Sequence, residues 1–438
     1  MNNQQRKGAP LLARTLELII LVMFFNLAAA INSPVKAADT AQTDIECLFN
    51  WAQTFKYAPL FSPPVSGLQF SSPYTYRHYL GTDSYVGVSS ADNHVYYLGP
   101  GVPLQDAQDV GTLSFWLTQS GCGARPYPVI FIHGIASSAD TWIPFRDYLI
   151  NSAGWTFGGI PAYNPGTKTV DISCPSDLSL LATCTGDAGD AGDFYTLNFS
   201  DNQGLSFDVQ GGELAAIIKA VLAANPGKTK VLLVGHSTGG LAAREYLQGL
   251  GALDSVTTIP YRQDVAKLIT VGTPHQGSFW AETCHLHFDI FGISGNIGIC
   301  DLLSLSVDPN SIAIKELQPN SQALNILNYL APPYNLPYDV SYVSIKGKGQ
   351  PTLDGLDFLT IAHFTTGDGI VSDASQNLKT VTGNLPLQQN TVSIDILFQT
   401  ECGNKIHVPI IGNLGENHTC EPKDLGVWGE VLSDVYVQ

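Results

Sequence analysis

The 438-residue sequence predicts an α/β protein with a mostly parallel central sheet, a lid-like insertion and a small α+β module ahead of it. Beyond Pro126, apolar runs of strand length alternate with helix-like segments, which is typical of parallel strands covered by helices on both faces. Before that point, short aromatic and β-branched runs separated by turn residues indicate antiparallel strands. Hydrophobic residues make up 44% of the chain and charged residues 13%, so a large core can be buried.

The formal net charge of −17 disfavours nucleic acid and anionic lipid as electrostatic partners, because both are themselves negatively charged. We therefore expect no nucleic-acid partner. No motif indicates a cofactor, and no cysteine spacing resembles a paired zinc site. The oligomeric state is left open by the sequence.

Residues 1–37 have the pattern of an export signal. Basic residues up to Arg14 precede an apolar run over residues 18–25, and the small residues Val35 and Ala37 frame a cleavage site after Ala37. A retained membrane anchor is the alternative. We expect a secreted or periplasmic bacterial protein.

All eight cysteines follow residue 37, and an even number in an exported chain favours disulfides over metal binding. Pairing between near neighbours is the simplest of many connectivities. It predicts the bonds Cys47–Cys122, Cys174–Cys184, Cys284–Cys300 and Cys402–Cys420.

Residues 38–122 form the predicted small module. Helical apolar spacing covers residues 45–61, and residues 109–122 are expected to close the module with a short helix. The aromatic residues between them fit a core better than a carbohydrate-stacking face. The segment resembles a module that precedes assorted catalytic domains in secreted bacterial proteins. Its predicted strands cover residues 74–80, 84–89 and 94–99.

Residues 123–438 form the predicted catalytic domain, interrupted at about residues 278–337 by an insertion rich in Gly, Cys and Pro. Helices are predicted at 212–225 and 240–250. Strands are predicted at 128–132, 196–200, 230–235, 266–272, 338–347 and 391–401.

The stretch VGHSTGG, residues 234–240, lies between a buried strand and a helix. Small residues on either side of Ser237 let strand and helix approach closely, which forces a strained turn and lifts the hydroxyl clear of the sheet. Ser237 is therefore predicted to be a nucleophile. The alternative is an ordinary serine in a Gly-rich loop.

A serine nucleophile needs donors for the negative oxygen of its intermediate. The stretch FIHGI ends an earlier strand, so the backbone N–H groups of Ile135 and Thr238 are predicted to form an oxyanion hole. His133 lies upstream of the serine on this loop, and we expect a structural role for it.

Together, FIHGI, VGHSTGG and LITVGTPHQGS resemble the α/β-hydrolase fold, and specifically its bacterial lipase and esterase branch. The resemblance runs from about Pro126 to the C-terminus. Thr238 stands where several relatives carry Met or Gln, which leaves the backbone donor in place. The resemblance implies a triad in the order nucleophile, acid, histidine.

The acid is predicted to be Asp368, because GDGIV matches the Asp-Gly-aliphatic-Val context usual in the family. Asp373 is the first alternative. Asp354 and Asp357 are more typical of solvated turns. The acid would orient the imidazole and stabilise its cation.

The base is predicted to be His418, in a loop after the last predicted strand, where the fold places its histidine. His407 is the alternative and is expected to be a packed strand residue. A bond between Cys402 and Cys420 would clamp the loop that carries His418.

The insertion falls where such lipases carry a lid, and its apolar residues could cover an acyl pocket and touch a lipid interface. A fixed structural excursion is an equal alternative. His275, His285 and His287 are expected to be surface residues and not metal ligands.

These residues predict a secreted serine hydrolase that cleaves lipophilic carboxylic esters through an acyl-enzyme. A polyester depolymerase, an acyltransferase or an amidase would use the same triad. A surface-binding protein that has lost activity is the alternative from another class.

Overall fold

A computed structural model of the chain describes most of the region after residue 124 and the strands of the N-terminal module. Residues 1–37, the predicted signal peptide, lie outside the described residues. The described residues are 74–81, 84–89, 94–98, 101, 103, 106, 108–112, 125–175, 191–254, 258–283, 289–290, 293–294, 307–353, 364–382, 389–396, 405–408 and 412–435.

The chain divides mainly at residue 124 into two compact units. In the first, four antiparallel strands pair in sequential order. Three of them lie where the sequence predicts strands, whereas residues 108–112 form a fourth strand in place of the start of the predicted helix. The predicted helix over residues 45–61 lies outside the described residues. The strands are β1 (Tyr74–Gly81), β2 (Ser84–Ser89), β3 (His94–Leu98) and β4 (Gln108–Thr112).

The second unit contains the following strands and helices, beside two 3₁₀ helices at Ala139–Trp142 and His418–Lys423. Its first half comprises β5 (Val129–Ile132), α1 (Ile143–Asn151), β6 (Ile160–Asn164), β7 (Thr169–Ser173), β8 (Phe194–Thr196), α2 (Phe207–Ala224), β9 (Val231–His236), α3 (Gly239–Leu247) and β10 (Val265–Val271). Its second half comprises α4 (Phe279–Thr283), β11 (Asp289–Ile290), β12 (Ile293–Ser294), α5 (Ile312–Leu317), α6 (Gln322–Leu327), β13 (Ser341–Lys348), β14 (Gln350–Leu353), β15 (Phe364–Gly367), α7 (Asp373–Gln376), α8 (Lys379–Thr382), β16 (Gln389–Asp395), β17 (Lys405–Val408), β18 (Gly412–Gly415) and α9 (Leu425–Asp434).

Six parallel strands form the central sheet in the order β16-β13-β10-β9-β5-β8. The middle strand β9 is buried at all six positions, which explains its unbroken apolar sequence. Val234 of β9 lies beside Phe131 of β5 and Ile269 of β10. The predicted α/β fold with a mostly parallel sheet is confirmed.

Helices cover both faces of the sheet. On one face, Ile130 and Leu233 pack in a core with residues of α2 and α3, such as Leu214 and Tyr246. On the other, Phe131 contacts the rings of Trp142 and Phe145, and Phe145 stacks at 4.9 Å on Trp428 of α9. Because the strands are parallel, their carboxyl ends meet at one edge, and the loops there carry the residues described next.

Part of the insertion is packed into the fold. Ala313, Ile314 and Leu317 of α5 lie in one apolar cluster with Phe207 of α2 and Leu241 of α3. This portion therefore has the packing of a fixed element. The lid prediction for residues 284–288, 291–292 and 295–306 falls outside the described residues.

Within the described part of the chain, no helix combines the length and the apolarity that crossing a membrane would require. Each predicted cysteine pair includes at least one cysteine outside the described residues, so the pairings stay predictions. Neither Cys174 nor Cys420, the two described cysteines, is a free thiol.

Candidate active site

Ser237 occupies a strained turn between β9 and α3. Its φ of 54° lies in the left-handed region, which a serine adopts only when its surroundings force it. A Cβ atom on Gly235 would come within 2.7 Å of the Gly240 nitrogen, and one on Gly239 within 2.6 Å of the His133 carbonyl oxygen. The two glycines therefore let strand and helix approach as the sequence predicts.

The structure brings Ser237, His418 and Asp368 into one chain of hydrogen bonds. His418 Nε2 lies 2.8 Å from Ser237 Oγ, and His418 Nδ1 lies 2.8 Å from Asp368 Oδ2. Ser237 and His418 are each 6% exposed and Asp368 is fully buried, so only the reacting end of the chain reaches solvent. This geometry lets the imidazole take the serine proton while the carboxylate fixes its tautomer.

Asp368 is held by hydrogen bonds at both carboxylate oxygens. Its Oδ1 accepts the backbone N–H groups of Ile370 at 2.8 Å and Val371 at 2.7 Å, which leaves Oδ2 for the histidine. Burial lowers the pKa of His418, but the charge of Asp368 and its hydrogen bond, with the charge of Glu416, outweigh that effect. The net pKa of His418 is raised above its usual value, as a general base requires.

The loop carrying His418 is fixed by two neighbours. His236 Nε2 donates to the carbonyl oxygen of His418 at 3.0 Å, and the Asn417 side chain donates to the Ile396 carbonyl at 2.9 Å and the Lys348 carbonyl at 3.2 Å. Burial, followed by the charge of His418, lowers the pKa of His236 far below its usual value, so His236 stays neutral. Sequence reasoning singled out neither residue for this role.

The predicted oxyanion donors lie beside the serine. A Cβ atom on Gly134 would come within 2.6 Å of Ser237 Cβ, so the loop after β5 touches the turn after β9. The N–H groups of Ile135 and Thr238 have no backbone or side-chain acceptor among the described residues. Free N–H groups near a nucleophile are what a developing oxyanion requires.

Part of the chain is similar to known proteins. Residues 124–289 match the family model of the PGAP1-like alpha/beta domain. A triacylglycerol lipase of Pseudarthrobacter phenanthrenivorans is 30% identical over 176 residues, 40% of this chain and 42% of the relative. One of Burkholderia plantarii is also 30% identical over 176 residues, 40% of this chain and 37% of the relative. The chain thus spans less than half the length of these relatives.

The chain contains an α/β-hydrolase domain of the lipase and esterase superfamily. Two solved structures are similar to it over 72% of this chain, each at 14% identity and a TM-score of 0.39. They are lipase 1 from Pelosinus fermentans, covered in full, and EstA from Clostridium botulinum, covered over 88%.

A cavity of about 610 Å³ opens beside Ser237 in the α/β-hydrolase domain. Trp280, Val307 and Leu317 line it, so residues of the insertion form part of its wall. The larger apolar lining residues are Ile135, Trp280, Val307, Leu317, Ile370 and Val371, and the polar ones include Ser137, Ser138, Asp140, Thr141, Thr419 and Lys423. The lining is therefore partly apolar and partly polar.

Asp373, the first alternative acid, is not part of this arrangement. Asp373 pairs with Lys346 at 2.8 Å and has no contact with His418. His407 lies on β17, and Asp354 and Asp357 lie outside the described residues. His133 is buried and its Nδ1 lies 2.8 Å from the Gly134 carbonyl; burial lowers its pKa to about 4, which suits the expected structural role.

The expectation that His275 is a surface residue is wrong. It is fully buried, with Nδ1 3.4 Å from Arg244 and Nε2 3.4 Å from the Thr270 hydroxyl. The reason is that the loop after β10 brings His275 into contact with Arg244, a buried residue of α3. His285 and His287 lie outside the described residues.

Among the described residues, one group has metal-ligand spacing: His236, His418 and Glu421 place ligand atoms within 4.8 Å of one another. Both ring nitrogens of His418 are already engaged by Ser237 and Asp368. A metal there would break the chain of hydrogen bonds. Glu421, which the sequence did not single out, is the one carboxyl of this group.

Proposed function

We propose that the chain is an exported serine hydrolase that cleaves carboxylic esters with apolar acyl groups. The observation that carries the proposal is the unbroken chain from Ser237 Oγ through His418 to Asp368, with both links at 2.8 Å. Such a chain activates a hydroxyl that is otherwise unreactive.

The proposed reaction has two halves. His418 Nε2 takes the proton of Ser237 as Oγ attacks the ester carbonyl, and the Ile135 and Thr238 N–H groups receive the negative oxygen. His418 then gives the proton to the leaving alcohol, which leaves an acyl-enzyme. A water molecule then attacks the acyl-enzyme while His418 takes its proton. The carboxylic acid is released as His418 passes this proton to Ser237 Oγ.

The substrate class rests on the cavity and on the relatives. The apolar lining residues Trp280, Leu317, Ile370 and Val371 suit an acyl chain, and the polar lining residues suit the alcohol part of the ester. The two relatives named triacylglycerol lipases also support a lipophilic ester as the substrate.

Export is part of the proposal. The pattern of residues 1–37 supports it, as does the absence of a free thiol at the described residues Cys174 and Cys420. Contact of the insertion with a lipid interface is proposed on its apolar sequence.

A substrate panel tests the proposal. Purified protein is assayed on p-nitrophenyl butyrate and palmitate, triolein, a matched anilide and a polyhydroxyalkanoate film, with Ser237→Ala as the blank. We expect hydrolysis of the soluble esters and triolein that the blank lacks. Cleavage of the anilide or film alone would favour an amidase or depolymerase. No turnover at all would favour a binding protein.

A further inference from the structure

Glu421 lies directly behind the proposed catalytic histidine. It is the third residue after His418, in the same 3₁₀ helix, and is fully buried. Its Oε2 lies 3.6 Å from His418 Nδ1 and 3.4 Å from His236 Nε2. A second carboxyl beside Asp368 is not needed by the hydrogen-bond chain already described.

The sheet leaves room for this carboxyl at two glycines. A Cβ atom on Gly272, just beyond β10, would come within 2.0 Å of Glu421 Oε2, and one on Gly347 of β13 within 2.0 Å of Oε1. The same atom on Gly347 would lie 3.2 Å from Cβ of Asp368. The carboxyls of Asp368 and Glu421 therefore share one pocket at the ends of two neighbouring strands.

No described residue donates a hydrogen bond to either oxygen of Glu421. The two nearest N–H groups are already used: His236 Nε2 donates to the His418 carbonyl, and His418 Nδ1 donates to Asp368. An ionised Glu421 would lie unsolvated beside a second carboxylate, which is strongly unfavourable. A neutral acid would instead supply an O–H donor for Asp368, which borders the same glycine, Gly347.

We propose that Glu421 is a positioning residue that stays protonated, donates a hydrogen bond to Asp368, and fills the space behind His418. The role rests on the proposed function, since it concerns the same histidine. Asp368 then accepts from two backbone N–H groups, from His418 and from Glu421. These donors keep its charge in place and its Oδ2 aimed at the imidazole.

The charges around Glu421 act in the same direction. Burial, followed by the charge of Asp368 and its hydrogen bond, raises the pKa of Glu421 well above its usual value, and Glu416 and Asp424 raise it further. Among the described residues, the titratable side chains paired with Glu421 are those of His236, which is neutral, and His418. Loss of the Glu421 proton at alkaline pH would put a second negative charge where it competes with Asp368 for His418 Nδ1–H.

Thermal unfolding tests the protonation without any substrate. When folding raises the pKa of a carboxyl, the protein loses stability as pH rises. The loss begins near the pKa of the unfolded state, about 4.5, and continues up to the pKa of the folded state. Glu421→Gln removes this cost, so its Tm minus that of the wild type should grow by more than about 2 °C between pH 5 and pH 9. A difference that is flat or falls with pH would show an ionised Glu421 and overturn the proposal.

Glu416→Gln is the matched control, because Glu416 is also buried but accepts hydrogen bonds from the Thr419 N–H at 2.9 Å and hydroxyl at 2.6 Å. Its Tm relative to the wild type should rise with pH much less than that of Glu421→Gln, because this variant removes only one of the charges that raise the pKa of Glu421. A rise equal to that of Glu421→Gln would show a general charge effect and contradict a specific role for Glu421.

Kinetics test the positioning. At pH 7 the kcat of Glu421→Gln should fall less than about threefold and that of Glu421→Ala more than about tenfold, because the amide can still donate to Asp368. The alkaline limb of the wild-type pH profile should move to higher pH in Glu421→Gln. Equal kcat losses in both variants, or an unmoved limb, would overturn the role. If the wild type hydrolyses no ester, the Tm series still decides the protonation, so the two proposals fail separately.

Discussion

The backbone N–H of Asn417 donates to the carbonyl oxygen of Asp368 across 2.6 Å. The loop that carries the proposed base is thereby joined to the loop that carries the proposed acid. The Asn417 side chain also donates to the carbonyl oxygens of Lys348, at the end of β13, and Ile396, just after β16. We expect the spacing of the proposed triad to depend on this junction.

Asn417→Ala should lower kcat about tenfold with a smaller change in KM. The backbone bond to Asp368 remains, but two buried carbonyl oxygens lose their donor, which costs about 1–3 kcal/mol. Steady-state kinetics and urea unfolding check this. Asn325→Ala, which removes an exposed asparagine bonded to the Asn320 carbonyl, is the control and should leave kcat unchanged. An Asn417 variant as active as this control would show that the junction does not set the triad.

Asp368→Asn should lower kcat by roughly 10³–10⁴-fold, because the amide cannot hold the required tautomer of His418. Esterase assays at saturating substrate measure the loss. Asp373→Asn is the matched control from the same loop region, where Asp373 pairs with Lys346. Should the control lose more activity than Asp368→Asn, the acid has been assigned to the wrong residue.

The acid limb of the kcat/KM profile should lie above pH 6.5, because the pKa of His418 is raised from that value and the base works only when neutral. The activity is lost as pH falls through this pKa. Glu416→Gln removes one of the charges that raise it, so the limb should move to lower pH. Asp171→Asn, an exposed acid on β7, should not move it. A limb that stays in place in both variants contradicts the electrostatic account.

Gly239→Ala should destabilise the domain by about 1–3 kcal/mol and lower kcat more than tenfold. The new methyl would press on the His133 carbonyl at 2.6 Å and push the start of α3, with Ser237, away from the loop after β5. Chemical unfolding and esterase assays check both effects. Gly166→Ala, where a Cβ meets only the Asn164 side chain at 3.3 Å, is the control. Equal effects in the two variants would mean that close approach at the turn is unimportant.

Much of the domain could be predicted because its signals are local. The strands β5, β9 and β10 are mostly apolar runs, and the small residues of the Gly-His-Ser-Thr-Gly stretch predict the tight turn at Ser237. The strand predicted at 196–200 is shorter and earlier, at Phe194–Thr196, because only those residues pair with β5. Residues 108–112 pair with β3, which overrides the helix predicted from their neighbours.

Glu421 and His275 could not be predicted because their surroundings come from distant segments. The space around the Glu421 carboxyl is made by Gly272 and Gly347, and the sequence does not indicate that these two glycines border the same side chain. His275 is buried because Arg244 of α3 reaches it. In both cases burial follows from packing between strands and helices that the local pattern does not encode.

The central claim is that Ser237 is the residue acylated during turnover. The most direct measurement is intact-protein and peptide mass spectrometry after treatment with a p-nitrophenyl alkylphosphonate, comparing the wild type with His418→Ala and Ser237→Ala. We predict one adduct, on the peptide that contains Ser237, formed quickly in the wild type, very slowly without His418 and not at all without Ser237. An adduct on another residue, or a folded wild type that stays unlabelled while it hydrolyses esters, would contradict the account.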